Sequence, residues 1–142
     1  MQRIIIDTNI FVSSLIQRSS PFFIVNDVFG NQKIELCISE ELLKEYMDVL
    51  NREKFARFVD FQSNAKSLLI DIESFGRLYN PEKNLDIISD EKDNRLLELA
   101  VAAKADYLIT GNHNDFTMDD FRGTKIITAR DYWKIMMKEK FS

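Results

Sequence analysis

Of 142 residues only one is cysteine, one histidine, two proline and four glycine. Cys37 alone cannot form an internal disulfide, and it lies in the mostly apolar run 34–38, where packing accounts for it. With no second histidine to join His113 and no further cysteine, the residues for a zinc site are missing. His113 itself, in a polar loop, is left as a ligand, a general base or a solvated side chain. The shortage of glycine and proline, set against 45% hydrophobic and 30% charged residues, excludes disordered, collagen-like and coiled-coil chains. No apolar run approaches the roughly 20 residues of a membrane span, and no basic segment leads into a signal-type apolar region, so a cytoplasmic protein without a membrane partner is expected. An excess of positive charge is absent too. The formal net charge of −4 argues against broad electrostatic binding of nucleic acid, while leaving room for a local basic patch.

What is present is best read outward from the stretch Arg3 to Ser14, RIIIDTNIFVSS. The β-branched run Ile4, Ile5, Ile6 suits a strand buried on both faces, as in a parallel sheet. It stops at Asp7, with Thr8 and Asn9 as helix-start residues and Ile10, Phe11, Val12, Leu15 and Ile16 as the following apolar stripe. In open α/β sheets ligands bind beyond the carboxyl ends of the strands, so a carboxylate at this junction is placed for chemistry. Taken singly, Asp7 reads as an N-cap contributing about 1 kcal/mol. Whether other acids reach equivalent strand ends decides between the two.

The rest of the chain repeats the alternation. Ser19, Ser20 and Pro21 open a helix through Phe22 to Phe29, ended by Gly30 and Asn31. Ile34 to Ile38 reads as a second strand. Ser39 then caps a helix with Glu40 and Glu41 in its first turn, where they suit the dipole, and Leu42, Leu43, Tyr46, Met47 and Leu50 on its apolar face. Two Phe-rich helical segments follow, around Arg52 to Phe58 and Phe61 to Phe75, and Gly76 to Asn84 reads as a link into the second half. There Asp90 caps a long helix, with Asp93 three residues on completing a capping box of sorts. A strand at Tyr107 to Thr110, with Asp106 as a structural acid at its near end, precedes the polar loop Asn112 to Asp115. Lys125 to Thr128 forms a last strand and Ala129 to about Lys138 a closing helix. No hairpin signal or internal repeat is evident. The expectation is one domain spanning 1–142, of class α/β: a three-layer α/β/α sandwich around a mostly parallel sheet of four to five strands.

Acids recur at the strand ends: Asp7, the Glu40, Glu41 and Glu45 group, Asp90 with Asp93, and Asp115 beside Asn112. Carboxylates crowded into one volume must protonate or be neutralised by a cation, and an oxygen-only donor set suits Mg²⁺ or Mn²⁺. Glu45, in the second turn beside Leu42, is a better ligand candidate than its dipole-facing neighbours. Asp93 shares a helix face with Leu96, Leu97 and Ala100 and so points inward. Asp90 is explained by capping, with a supporting role second. Taken singly, Asn112 reads as a turn residue after Gly111 and Asp115 as the start of a short helix.

The segments IIIDTNIFVSSL, SEELLKEYMDVL, DEKDNRLLELAVAAKADYLITGNHNDF and KIITARDYW, in this order and spacing, together resemble the PIN domain, and more narrowly the VapC-like toxins of toxin-antitoxin systems. The resemblance implies a PIN-like fold and metal-dependent endonuclease cleavage of RNA. It carries the family's acids onto Asp7, Glu45 and Asp93. The fourth acidic position is here Asn112, with Asp115 as its substitute or Asn112 holding a metal-bound water. Asn9 and Thr110 correspond to outer polar residues that orient carboxylates and water. One or two Mg²⁺ or Mn²⁺ ions held by Asp7, Glu45, Asp93 and Asp115 would activate water for in-line attack on a backbone phosphate. A small antitoxin and a homodimer are the implied protein partners, with RNA as substrate. The aromatic regions 22–29 and 55–61 serve either such a contact or the core. The competing expectation is a catalytically weak PIN domain that binds protein or RNA. A phosphotransfer domain with Asp7 as nucleophile would need a second acid two residues from it or an acid pair before it, and IIIDTN supplies neither.

Overall fold

The computed structural model describes residues 1–82, 84–88, 90–111, 116 and 118–140. Strand β1 (Gln2–Ile6) leads directly into helix α1 (Thr8–Ile16), followed by α2 (Ser20–Val28), β2 (Ile34–Ile38) and α3 (Glu40–Leu50). A single 3₁₀ turn at Glu53–Phe55 and helix α4 (Phe61–Phe75) come next, then β3 (Arg77–Leu78), α5 (Glu91–Ala103) and β4 (Tyr107–Ile109). Strands β5 (Asp120–Phe121) and β6 (Thr124–Ile127) and helix α6 (Ala129–Lys140) complete the described chain. The strands form one sheet in the order β3-β2-β1-β4-β6-β5, parallel except for β5 against β6. Ile4, Ile5 and Ile6 are all 0% exposed. Successive strand residues point to opposite faces, so helices cover the sheet on both sides and the result is a three-layer α/β/α sandwich.

The four longer strands make the mostly parallel sheet that the hydrophobic pattern foretold, and two two-residue edge strands extend it to six. Both edges correct the sequence reading. The segment expected as a plain link, Gly76 to Asn84, contains β3, an exposed pair of residues that pairs in parallel with Cys37 and Ile38 of β2. The β5–β6 pair is a hairpin where none was expected. Its two-residue turn, Arg122-Gly123, has φ of 52° and 92°, the primed geometry that matches strand twist, and Asp120 Oδ1 accepts the Gly123 amide at 3.1 Å. Arg at the first turn position hides the usual Asn-Gly or Asp-Gly signature. The helical segment expected around Arg52 to Phe58 is only the 3₁₀ turn, since α4 begins afresh after Asp60 in the left-handed region at φ 59°. At Gly76 a Cβ would stand 2.5 Å from the Ile72 carbonyl oxygen and 2.9 Å from the Ile38 side chain, so only glycine lets α4 pass this close to β2.

Away from the carboxyl edge of the sheet, β2 buries an acid that the sequence did not mark. Glu35 receives Tyr79 Oη at 2.5 Å, Arg77 Nη1 at 3.1 Å and Arg3 Nε at 3.3 Å, which ties β3 and β1 to β2. Burial would raise its pKa. The Tyr79 and Arg77 hydrogen bonds and the two guanidinium charges outweigh this and hold it below the usual 4.5. A carboxylate with a depressed folded pKa contributes stability that is complete above its unfolded value and lost as pH falls through the folded one. Glu35→Gln should therefore be less stable at neutral pH and lose less on acidification below the usual 4.5, as urea titrations across that range would read. Cys37 lies beneath the same cluster, fully buried, its thiol pushed up to about 12 by burial first and by Glu35 second. It is packing, as its sequence context indicated.

Candidate active site

The sheet order places β1 between β2 and β4, so the chain winds outward in one direction through β2 and β3 and returns on the other side through β4. The crevice over the carboxyl ends at this switch point is where such sheets accommodate ligands. Register fixes who meets there. Ile6 pairs with Ile109, and the Asp7 amide donates to the Ile109 carbonyl at 3.0 Å, which sets Asp7 beside Thr110 at the edge of the sheet. On the other side Ser39, capping α3 by accepting the Leu42 amide at 3.1 Å, starts the helix that carries Glu45. Helix α5, packed on β1 and β2, brings Asp90 and Asp93 from the second half of the chain. Asp7, Glu45, Asp90 and Asp93 line one cavity of about 190 Å³, together with Thr8, Asn9, Arg52, Lys54 and Lys92. A larger cavity of about 490 Å³ beside α1, α2 and α4 has Asp71 as its only acid among the lining residues and gathers no comparable group.

Asp7 is 5% exposed and makes no capping hydrogen bond to α1. Its carboxylate instead accepts the Thr110 hydroxyl at 2.8 Å. Asp7 still stands at the N-cap position of α1, with the Thr8 backbone favouring its ionised form, but capping alone does not account for a carboxylate held by Thr110. Burial raises its pKa above the usual 3.8, the charges of Glu45 and Asp90 push the same way, and the Thr110 hydrogen bond opposes them. Glu45 accepts the Thr8 hydroxyl and stands 3.9 Å from the Lys92 ammonium. One residue on, the buried Tyr46 phenol donates to the Ile6 carbonyl and stacks edge-on against Phe11 at 4.9 Å, pinning α3 to the end of β1. Burial first, then the negative charges of Asp7 and Glu45, hold Tyr46 well above its ordinary pKa, so it stays a donor.

Residues 3–114 match the PIN domain family. The chain belongs to that family. The uncharacterized protein MJ1680 of Methanocaldococcus jannaschii is 27% identical over 118 residues, which cover 83% of this chain and 76% of that protein. Among solved structures the fold is similar to VapBC2 of Rickettsia felis bound to a DNA fragment from their promoter, with a TM-score of 0.52 and 18% identity over 80% of this chain and 90% of that one. At that identity the likeness speaks for the fold.

In this PIN domain, sequence positions 7, 45 and 93 share a cavity although β2, α4 and the 76–90 segment separate them along the chain. Asp93 is 4% exposed, inward-facing as its helix period foretold. Asp90 caps α5, accepting the Lys92 amide at 2.9 Å, and also lines the cavity. Asn9 is exposed at the cavity wall, and Glu40 and Glu41 are exposed in the first turn of α3. Asp106 accepts the Arg3 amide at 2.8 Å at the opposite end of the sheet, the structural role expected of it. Asn112, His113 and Asp115 lie outside the described residues. Among the described residues no group of three or more Asp, Glu, His or Cys side chains is arranged as a ready-made metal cluster. The candidate ligands on the wall, Asp7, Glu45, Asp90 and Asp93, offer only carboxylate oxygens, which fits a hard divalent cation, while Arg52, Lys54 and Lys92 line the same cavity and part of Glu45 is committed to Thr8 and Lys92. No described helix is long and apolar enough to cross a membrane.

Sequence reasoning passed over Thr8, Tyr46, Arg52, Lys54 and Lys92. Thr8 directly follows Asp7 and was legible as a helix-start residue only. The others bear on the site through folding that brings α3, the 3₁₀ turn and α5 together.

Proposed function

We propose that this chain is a divalent-metal-dependent endoribonuclease, a single domain over 1–142, and the toxin of a toxin-antitoxin pair working in the cytoplasm. The observation that carries the proposal is the meeting of Asp7, Glu45 and Asp93, with Asp90, around one cavity at the sheet's switch point. PIN domains are generally nucleases, which supports the reaction class, and the fold neighbour's VapBC2 complex supports an antitoxin partner. Asp7, Glu45 and Asp93, with Asp115 from the sequence, are the residues assigned to hold Mg²⁺ or Mn²⁺. A bound divalent cation would supply water activation and charge neutralisation at the transferring phosphoryl group. Thr110 orients the Asp7 carboxylate, Thr8 orients Glu45, and Tyr46 fixes the spacing between their elements. Asn9, at the cavity wall, and Asn112, from the sequence, are assigned to orienting carboxylates and water.

A second reading, a catalytically weak PIN domain that binds RNA or protein, draws on the lack of a ready-made metal cluster among the described residues. Cleavage of labelled single-stranded RNA by purified protein separates the two. The nuclease reading expects Mn²⁺ or Mg²⁺ to stimulate cleavage and EDTA to abolish it. No cleavage at any metal concentration leaves the binding reading, and cleavage indifferent to EDTA overturns the metal dependence.

A further inference from the structure

Beside the acid cavity runs a groove of about 360 Å³ between α3 and α5, and Glu45, Lys92 and Leu96 line both, so the two are continuous. The groove wall also carries Lys44 and Arg95. The cations at this junction differ in their commitments. Arg52 pairs with Asp48 at 3.1 Å, and Arg95 is engaged by Glu98 at 2.7 Å and Glu91 at 3.6 Å. Lys92 instead places its ammonium 3.9 Å from a site carboxylate, Glu45, on a side chain that is 73% exposed.

We propose that Lys92 is the exchangeable counter-ion of the acid site. It pairs with Glu45 in the metal-free protein, yields that carboxylate to an arriving divalent cation, and then turns into the adjoining groove to bind a backbone phosphate of the substrate. This rests on the nuclease reading. Two chemical facts support the exchange. With Lys92 73% and Glu45 25% exposed and the contact as long as 3.9 Å, the pair contributes on the order of 1 kcal/mol, so displacement costs little, and a dication at Glu45 repels an ammonium beside it. The four-carbon stem lets the charge move while the Lys92 amide stays fixed to Asp90 at 2.9 Å. The groove into which it turns carries Lys44 and the acid-paired Arg95 beside Glu41 and Asp48, a charge-balanced wall in which Lys92 and Lys44 are the cations that meet a phosphate.

The test compares wild type with Lys92→Met and Lys92→Arg. Titration with Mn²⁺, followed by the electron paramagnetic resonance signal of free Mn²⁺, should show Lys92→Met binding the ion about two- to fivefold tighter and Lys92→Arg unchanged. In Ca²⁺, with a short single-stranded RNA checked intact by gel, the slope of log affinity against log salt should fall by about 0.7 in Lys92→Met, one phosphate contact. Equal or weaker Mn²⁺ binding by Lys92→Met overturns the counter-ion role. Tighter Mn²⁺ binding with an unchanged salt slope overturns the hand-over to phosphate. Absence of Mn²⁺ binding in wild type and variants alike removes the nuclease reading, and this proposal with it.

Discussion

Asp7→Asn is expected to lose metal-dependent RNA cleavage by more than about 100-fold, beyond what removing an outer partner of a metal ligand costs, while unfolding at a higher temperature than wild type in EDTA at neutral pH. Both effects come from removing one buried negative charge, which the metal needs and the metal-free fold tolerates poorly. Burial, reinforced by Glu45 and Asp90, raises the Asp7 pKa above its ordinary 3.8. An acid whose folded pKa lies above its unfolded one binds its proton more tightly in the folded state, so ionisation weakens folding as pH rises from the unfolded value through the folded one. At neutral pH that penalty is complete. Asparagine carries no such penalty and still offers an oxygen to the Thr110 hydroxyl, which lies 2.8 Å from the carboxylate. The advantage in unfolding temperature should shrink as the pH is lowered toward 3.8, because the folded wild-type carboxylate takes up its proton before the unfolded one does. Adding Mn²⁺ should raise the wild-type midpoint and leave the variant's nearly unchanged, because an ion bound only by the folded state stabilises by mass action. Full activity in the purified variant would end the assignment of Asp7, and a lower midpoint in EDTA would end the account of its electrostatics.

The contrast between Asp7 and its supporting residues explains how much of the site was legible beforehand. A buried β-branched run followed by an acid and an apolar helical stripe is a local pattern, and it located β1, Asp7 and α1 to within a residue or two. The period of α5 likewise turned Asp93 inward before any fold was in hand, because Leu96, Leu97 and Ala100 define the buried face. The parallel sheet followed from strand and helix alternating along the chain. What stayed hidden depends on partners distant in sequence. Glu35 looks like a polar residue in a strand until Arg3 and Arg77, from β1 and β3, close on it. Thr8 carries no sign that its hydroxyl meets Glu45, 37 positions away. The β5–β6 hairpin escaped for a local reason, a left-handed Arg122 where asparagine or aspartate is the usual signal. Helix propensity and hydrophobic period report which face is buried, and they are silent about which polar group waits there.

Asn94 is the residue where that silence hid most, and Asn94→Ala is expected to destabilise the fold by about 2–4 kcal/mol, lowering the midpoint of unfolding by roughly 10 °C. Its side chain, 3% exposed, accepts the amides of Ile87 at 3.1 Å and Ile88 at 3.0 Å and donates to the Ile88 carbonyl at 2.7 Å. Beside it Glu98 accepts the Leu85 amide at 3.0 Å, so two side chains of α5 supply the hydrogen bonds that this non-helical, non-sheet segment needs. Alanine leaves two N–H groups and a carbonyl without their partner, at about 1–3 kcal/mol for each that remains buried, and relaxation of the exposed Ile87 end recovers some of that cost. The segment runs into Asp90, which lines the acid cavity and anchors the Lys92 amide. Loosening it should therefore weaken Mn²⁺ binding as well as stability. Asn94→Asp, which can accept both amides but cannot donate to Ile88, should fall between wild type and alanine. Thermal unfolding of the three proteins checks the order, and an alanine variant within about 2 °C of wild type would show that the segment is held by the burial of Ile88 rather than by Asn94.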